Sequence, residues 1–153
     1  MSFKLSKSSL SKLEGVDERL VAIVKYAIGE TSVDFKVIEG LRSIERQREL
    51  VAKGASQTMS SKHIPGEAVD LMALVGRPAR ASWELNLYDE IADAMKKGAE
   101  AVDCPLRWGC AWHITDIRAW NGTMEDAMNE YIDLRRSQSR RPLLDGPHFE
   151  LSV

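Results

Sequence analysis

The chain has 153 residues, a length that suits one domain, residues 1–153, around a single sizeable core. Apolar residues make up 44% and charged residues 29%, and 21 basic against 23 acidic side chains give a formal net charge of −2, so the basic character of a nucleic-acid-binding protein is missing. No apolar run approaches the ~20 residues of a membrane span, and the first ten residues lack the apolar stretch of a signal peptide, so we expect a protein made in a cytoplasm that does not insert into a membrane.

The first half of the chain predicts two helices with a strand between them. Apolar residues recur at helical spacing over 16–29, which indicates an amphipathic helix. Residues 35–41 are typical of a short strand. Ser43 is placed to cap a helix over 44–53, which would end at the glycine that follows. Small and polar residues over 54–61 predict a loop.

The second half alternates strands with helices. A long helix is predicted over 83–102 because apolar residues recur along one side of it. Together with the first half, this order predicts an α+β fold. The predicted elements are a strand over 68–74, the helix over 83–102, a strand over 106–112, a helix from Thr123 to about Arg135 and a closing strand over 149–153.

One carboxylate interrupts an otherwise apolar strand. Asp70 follows His63 by seven residues across a proline–glycine turn, which could fold the histidine back towards the carboxylate. A buried unpaired carboxylate is costly, and an imidazole with a carboxylate is a ligand pair that zinc accepts. A metal site needs a third protein ligand, for which only His113 and His148 remain.

A second histidine also lies in a turn that leads into a strand. Asp145 precedes His148 by three residues. Such a carboxylate could take a proton from a metal-activated water while the histidine binds the metal, which is the division of labour in zinc hydrolases. Spacing alone leaves open that these histidines are ordinary hydrogen-bonded residues.

Four short motifs occur in order along the chain. Residues 40–43 read G-x-R-S with Gln47 downstream, and residues 61–70 read S-x-H-x-x-G-x-A-x-D. Residues 108–112 read W-G-x-x-W, and residues 145–150 read D-x-x-H-F-E. The chain thereby resembles the zinc peptidases of the D-Ala-D-Ala carboxypeptidase type. Its opening residues and its length resemble phage endolysins that are L-alanyl-D-glutamate peptidases.

The resemblance implies a fold and a metal site. The fold would be a small antiparallel sheet flanked by helices, as in the Hedgehog and D-Ala-D-Ala-peptidase group. The cofactor would be Zn²⁺, with His63, Asp70 and His148 as its ligands. Asp145 would be the catalytic general base. Glu150 would either orient a ligand histidine or be a plain strand residue.

The resemblance also assigns residues around the metal. Arg42 would be catalytic, because it would bind the substrate carbonyl or the developing oxyanion. Ser61 and Gln47 would contact the substrate or support the residues that do. The motif block departs from the family at Ala111, where an acidic residue often precedes the second tryptophan. His113 has no matching ligand role, and a contact with the substrate is the alternative role for it.

The function that follows is a phage lysis enzyme, a zinc endopeptidase that cleaves the L-Ala-D-Glu bond of bacterial peptidoglycan. We expect a monomer, made in the host cytoplasm, that acts in the cell wall after a separate holin-like protein opens the membrane. The alternatives are a D-Ala-D-Ala carboxypeptidase or dipeptidase with the same ligands, and a non-catalytic zinc-containing wall-binding module. Cys104 and Cys110 are too few for a disulfide framework.

Overall fold

Side-chain caps set the beginnings of several helices. Ser43 Oγ accepts a hydrogen bond from the Arg46 amide at 3.0 Å, and Thr123 Oγ1 accepts one from the Asp126 amide at 3.2 Å, as their sequence positions predict. Over residues 2–153, which the computed structural model describes, no helix is long and apolar enough to cross a membrane. The helices are α1 (Lys7–Lys12), α2 (Glu18–Glu30), α3 (Ile44–Ala52), α4 (Leu85–Val102) and α5 (Met124–Ser137), with a 3₁₀ turn at Ile117–Ala119.

The strands are β1 (Asp34–Glu39), β2 (Ala68–Val75), β3 (Arg80–Ser82), β4 (Leu106–Trp108) and β5 (His148–Leu151). They form one antiparallel sheet in the order β1-β2-β5-β4. The central strand β2 pairs with β1 along one edge. Along its other edge, the first residues of β2 pair with β5 and the last residues pair with β3. The predicted α+β class and the small antiparallel sheet are therefore confirmed.

The core lies between the helices and the sheet. Helices α2 and α4 pack closely at Gly98, where a β-carbon would lie 2.8 Å from the Ile23 carbonyl oxygen. Large side chains such as Trp108 and Phe149 are fully buried, and each contributes roughly 1.5–3 kcal/mol or more to folding. Cys104 and Cys110 are buried free thiols within this core.

Helix α1 and strand β3 have no counterpart in the predicted elements. Helix α1 is rich in Lys and Ser and lacks an apolar period, so its stability comes from tertiary contacts. Its Ser9 is fully buried and accepts a hydrogen bond from the Val37 amide of β1 at 3.0 Å. Strand β3 has three residues, too few for an alternating pattern.

Three strands end before their predicted limits, and one of them, β5, begins one residue earlier than predicted and ends at Leu151. Strand β1 ends at Glu39 because the next residue, Gly40, passes so close to helix α1 that a β-carbon would lie 2.2 Å from the Lys12 carbonyl oxygen. Strand β4 ends at Trp108, and the chain turns at Gly109. The early ends of β1 and β4 lie beside the candidate site described next.

Candidate active site

Three neighbouring strands bring polar side chains into one row. Asp70 of β2 lies opposite Glu39 of β1 on one side and opposite His148 of β5 on the other. Directly opposed residues of an antiparallel sheet project to the same face. The register therefore places all three side chains on one wall of a cleft.

His63 reaches this cleft from the loop between α3 and β2. Its carbonyl oxygen accepts a hydrogen bond from the Arg42 amide at 2.9 Å, and its Nδ1 lies 2.9 Å from the Gly40 carbonyl oxygen. The loop turns at Gly66, which has a φ of +75° and no room for a side chain against the Gly15 carbonyl oxygen. Backbone contacts thus hold two of the sequence motifs side by side.

His63, Asp70 and His148, hereafter the ligand triad, form a compact group. His63 Nε2 lies 3.3 Å from Asp70 Oδ2, and His148 Nδ1 lies 3.2 Å from Asp70 Oδ1. One potential ligand atom from each residue lies within 4.8 Å of the other two. The structure therefore brings together the three residues that the motifs predicted as ligands.

The remaining imidazole nitrogens face hydrogen-bond acceptors. His63 Nδ1 faces the Gly40 carbonyl oxygen, and His148 Nε2 lies 2.8 Å from Glu150 Oε1. A proton on each of these nitrogens leaves the other nitrogen of each ring free to bind a metal beside Asp70. Two imidazoles and one carboxylate suit zinc, so the residues present fit the ion that the resemblance implies.

Protons on the histidines balance the negative charge of the carboxylates beside them. Burial raises the pKa of Asp70, but hydrogen bonds from His148 and His63 outweigh this effect and hold it well below its usual range. Burial lowers the pKa of His148, while hydrogen bonds to Asp70 and Glu150 raise it to a net value of about 9. The two carboxylates thus favour a positive charge between them, which a bound cation also supplies.

Arg42 is almost completely enclosed by the protein, with 8% of its side chain exposed. Its Nε donates to Glu39 Oε1 at 2.6 Å. Its Nη1 donates to Gln47 Oε1 at 2.8 Å and to Ser61 Oγ at 3.3 Å. Its Nη2 lies 3.8 Å from Asp70 Oδ2, beyond hydrogen-bonding distance. Sequence reasoning missed Glu39, which the strand register places beside Asp70.

The two predicted substrate-contact residues lie at different depths. Ser61 is on the cleft wall, where its hydroxyl also accepts a hydrogen bond from the His63 amide at 3.2 Å. Gln47 is fully buried behind Arg42, and its Nε2 donates to Ser56 Oγ at 2.9 Å and to the Thr58 carbonyl oxygen at 2.5 Å. Gln47 thereby joins Arg42 to the loop that borders the cleft.

Asp145 lines the same cleft, just before β5. Its amide donates to the Gly109 carbonyl oxygen at 2.9 Å, and its own carbonyl oxygen accepts from the His148 amide at 3.1 Å. A β-carbon at Gly109 would lie 2.1 Å from the Asp145 carbonyl oxygen, so this close approach requires glycine. Desolvation raises the pKa of Asp145 and the charge of Asp70 adds to the rise, while His148 opposes it.

Trp112, the last residue of the W-G-x-x-W motif, flanks the site, whereas the next residue, His113, does not. The Trp112 ring lies 5.6 Å from the His148 ring, and its Nε1 donates to the Leu143 carbonyl oxygen at 2.9 Å. His113 points elsewhere, because its Nε2 lies 3.0 Å from Glu130 Oε1 on α5. His113 is therefore outside the ligand triad.

A His-Asp-His group at the surface of a sheet and an adjoining loop, with a further carboxylate in the same cleft, is the arrangement of a metal-dependent hydrolase. Comparison with known proteins narrows this class. The family described as phage L-alanyl-D-glutamate peptidase matches residues 1–152. The chain therefore belongs to this family, which confirms the resemblance seen in the motifs.

Two relatives match the chain over nearly its whole length. The L-alanyl-D-glutamate peptidase of Escherichia phage T5 is 26% identical over 155 residues, which cover 99% of each chain. The crystal structure of the Serratia marcescens L-Ala D-Glu endopeptidase ChiX matches with a TM-score of 0.70 and 33% identity. That match covers 97% of this chain and 90% of the other.

Proposed function

We propose that this protein is a zinc-dependent endopeptidase that cleaves the L-Ala-D-Glu bond in the stem peptides of peptidoglycan. One observation carries the proposal: the ligand triad and Asp145 line the same cleft, in a chain that belongs to this family. Both relatives are peptidases named for this bond.

His63, Asp70 and His148 would hold the zinc ion. When bound, zinc acts as a Lewis acid, which lowers the pKa of a water to about 7 and polarises the scissile carbonyl. Gly40 and Glu150 keep the two imidazoles in the required orientation through their hydrogen bonds. Glu150 thus acts as a positioning residue in this proposal.

Asp145 acts as the general base and then as the general acid. It takes a proton from the attacking water and passes it to the nitrogen of the D-glutamate that leaves. Desolvation in the cleft raises its pKa, which brings the carboxyl group closer to the working pH, where proton transfer in both directions is most effective.

Arg42 stabilises the negative charge that develops on the carbonyl oxygen. Its Nη2 is the part of the guanidinium without a hydrogen bond to a protein group, so it retains donors for the substrate. Ser61 contacts the substrate from the cleft wall. Gln47 holds Arg42 in place from behind and does not itself touch the substrate.

The biological role is lysis of the host cell at the end of a phage infection. We propose that residues 1–153 work as one domain and as a monomer. The protein would be made in the host cytoplasm and act in the cell wall after a separate holin-like protein has opened the membrane.

Digestion of purified peptidoglycan tests the proposed function. The protein is incubated with zinc, with a chelator, and with chelator followed by excess zinc, and the fragments are identified by mass spectrometry. We expect new amino-terminal D-glutamate and muramic acid that retains L-alanine, abolished by chelator and restored by zinc. Release of free D-alanine, or no cleavage by zinc-loaded protein, would contradict the proposal.

A further inference from the structure

The cleft carries more acidic than basic groups. Among the described residues that line it are four carboxylates, Glu39, Asp70, Asp145 and Glu150. Its two basic side chains, apart from the histidines, are Arg42 and Lys62. The zinc ion of the proposed function would balance this excess, so a substrate that brings a further negative charge into the cleft needs a positively charged partner of its own.

The substrate class of the proposed function brings such a charge. In a stem peptide the D-glutamate donates its nitrogen to the scissile bond and continues the chain through its γ-carboxyl group. Its α-carboxylate stays free on the carbon bonded to the scissile nitrogen. Asp145 must approach that same nitrogen, so the two carboxylates would repel each other without a cation nearby.

Arg42 is poorly placed to supply that cation. Its Nε and Nη1 are bound to Glu39, Gln47 and Ser61, and its Nη2 lies near Asp70. Its charge is therefore shared with carboxylates that belong to the protein. Its remaining donors are directed towards the developing oxyanion in the proposed mechanism.

Lys62 differs from Arg42 in its exposure to solvent and in how tightly its charge is paired. About a third of its side chain (34%) is exposed, and its ion pair with Glu67 is loose, with Nζ 3.4 Å from Oε1. It lies between Ser61 and His63 in the loop that carries a metal ligand. It lines the same cleft as His148 and Glu150. A lysine ammonium on a flexible stem can turn from Glu67 to an incoming carboxylate.

We infer that Lys62 is a specificity residue that binds the free α-carboxylate of the D-glutamate on the leaving side of the scissile bond. The inference rests on the proposed function and adds to it a reason for the preference for D-glutamate. An α-carboxamide at the same position, as in D-isoglutamine, would lose the ionic part of this contact.

Two matched peptides test the inference. One contains L-Ala-γ-D-Glu-L-Lys, and the other has the α-carboxylate replaced by a carboxamide. Zinc-loaded wild type, Lys62→Met, Lys62→Glu and the control Lys25→Met are compared by kcat/KM on both peptides. Lys25 is an exposed lysine of α2 outside the cleft, so its substitution makes the same change in charge elsewhere.

We expect wild type and Lys25→Met to prefer the carboxylate peptide. Lys62→Met should lower the ratio of the two kcat/KM values by about tenfold or more, mainly through KM, as expected for a lost hydrogen bond to a charged group. Lys62→Glu should bring the ratio below one. A wild-type ratio retained in Lys62→Met would overturn the inference. Cleavage of neither peptide by wild type would instead overturn the proposed function, and the inference with it.

Discussion

A carboxylate lies between two imidazoles in the ligand triad, whereas a carboxylate of α4 lies among other carboxylates. Burial raises the pKa of Asp70, but its histidine neighbours reverse the effect and hold it below its usual range. Burial also raises the pKa of Asp89, and the charges of Glu125 and Asp93 add to the rise, which reaches about 6. Both groups are partly or fully buried, so the neighbours decide the sign of the shift.

The ligand triad is arranged to bind a metal, whereas the acidic group around Asp89 is a cost of packing. In the ligand triad, the opposite charges are hydrogen-bonded and the group can exchange protons for a metal ion. Around Asp89, like charges meet at the contact between α4 and α5 without a histidine among them. The first arrangement is expected to serve activity, and the second to lower stability at neutral pH. Four substitutions test this difference.

Asp70→Asn should have the largest effect. It removes the charge between the two imidazoles, so the affinity for zinc should fall sharply. The loss should far exceed the reduction of about 10–100-fold that is typical of changes outside the ligand shell. Peptidoglycan cleavage should fall to background. Zinc content by native mass spectrometry, with exposed Asp133→Asn as the control, measures the first effect. Full zinc content in Asp70→Asn would mean that the triad is not the metal site.

Gly109→Ala should lower kcat by about 100-fold while zinc stays bound. Its methyl group would displace the Asp145 carbonyl oxygen, and a shift of about 1 Å in a catalytic group can cost that much. Steady-state kinetics and zinc content are measured on the same sample. Gly54→Ala is the control, because a β-carbon there meets nothing within 4 Å although its φ of +76° carries some strain. Equal kcat values for Gly109→Ala and Gly54→Ala would refute the positional role.

Glu150→Ala should weaken zinc affinity by about 10–100-fold, because His148 loses the acceptor that orients its ring. Glu150→Gln keeps an acceptor oxygen and should lose less. Competition with a chromophoric chelator gives both affinities. The orienting role of Glu150 fails if Glu150→Ala binds zinc as tightly as the wild type.

Asp89→Asn should affect stability alone, and only above pH 4. The pKa of Asp89 in the folded protein, about 6, exceeds its ordinary value of 3.8. The contribution of the protonated carboxyl group to the free energy of unfolding is therefore fully present below pH 3.8 and is lost as the pH rises through 6. The loss is at most about 3 kcal/mol. Asp89→Asn should therefore be more stable than wild type at pH 8 and similar at pH 3.5 in chemical denaturation. A stability difference that does not change with pH would contradict this account.

The fold could be predicted where local patterns decide the structure. Helix α4 ends at Val102 as its apolar period indicates, and α3 begins after its cap Ser43. The spacing of apolar residues does not predict α1, because this helix depends on the contact between Ser9 and β1. It also does not reveal where β4 ends, because the limit is the approach of Asp145 to Gly109.

The site could be predicted where a short motif holds the residues. His63 and Asp70 are joined by one turn, and the motif resemblance added His148 from the far end of the chain. Glu39 escaped prediction because its place beside Asp70 depends on the pairing of β1 with β2. The burial of Gln47 behind Arg42 likewise requires the folded chain.

The central claim is that Asp145 performs proton transfer beside a metal held by the ligand triad. The most direct measurement is kcat on peptidoglycan together with zinc content for Asp145→Asn, which keeps the shape of the side chain and removes its basicity. The account predicts full zinc content and a kcat that falls by about 10²–10⁴-fold, the usual contribution of a general base. Cleavage at the wild-type rate with zinc bound would contradict it.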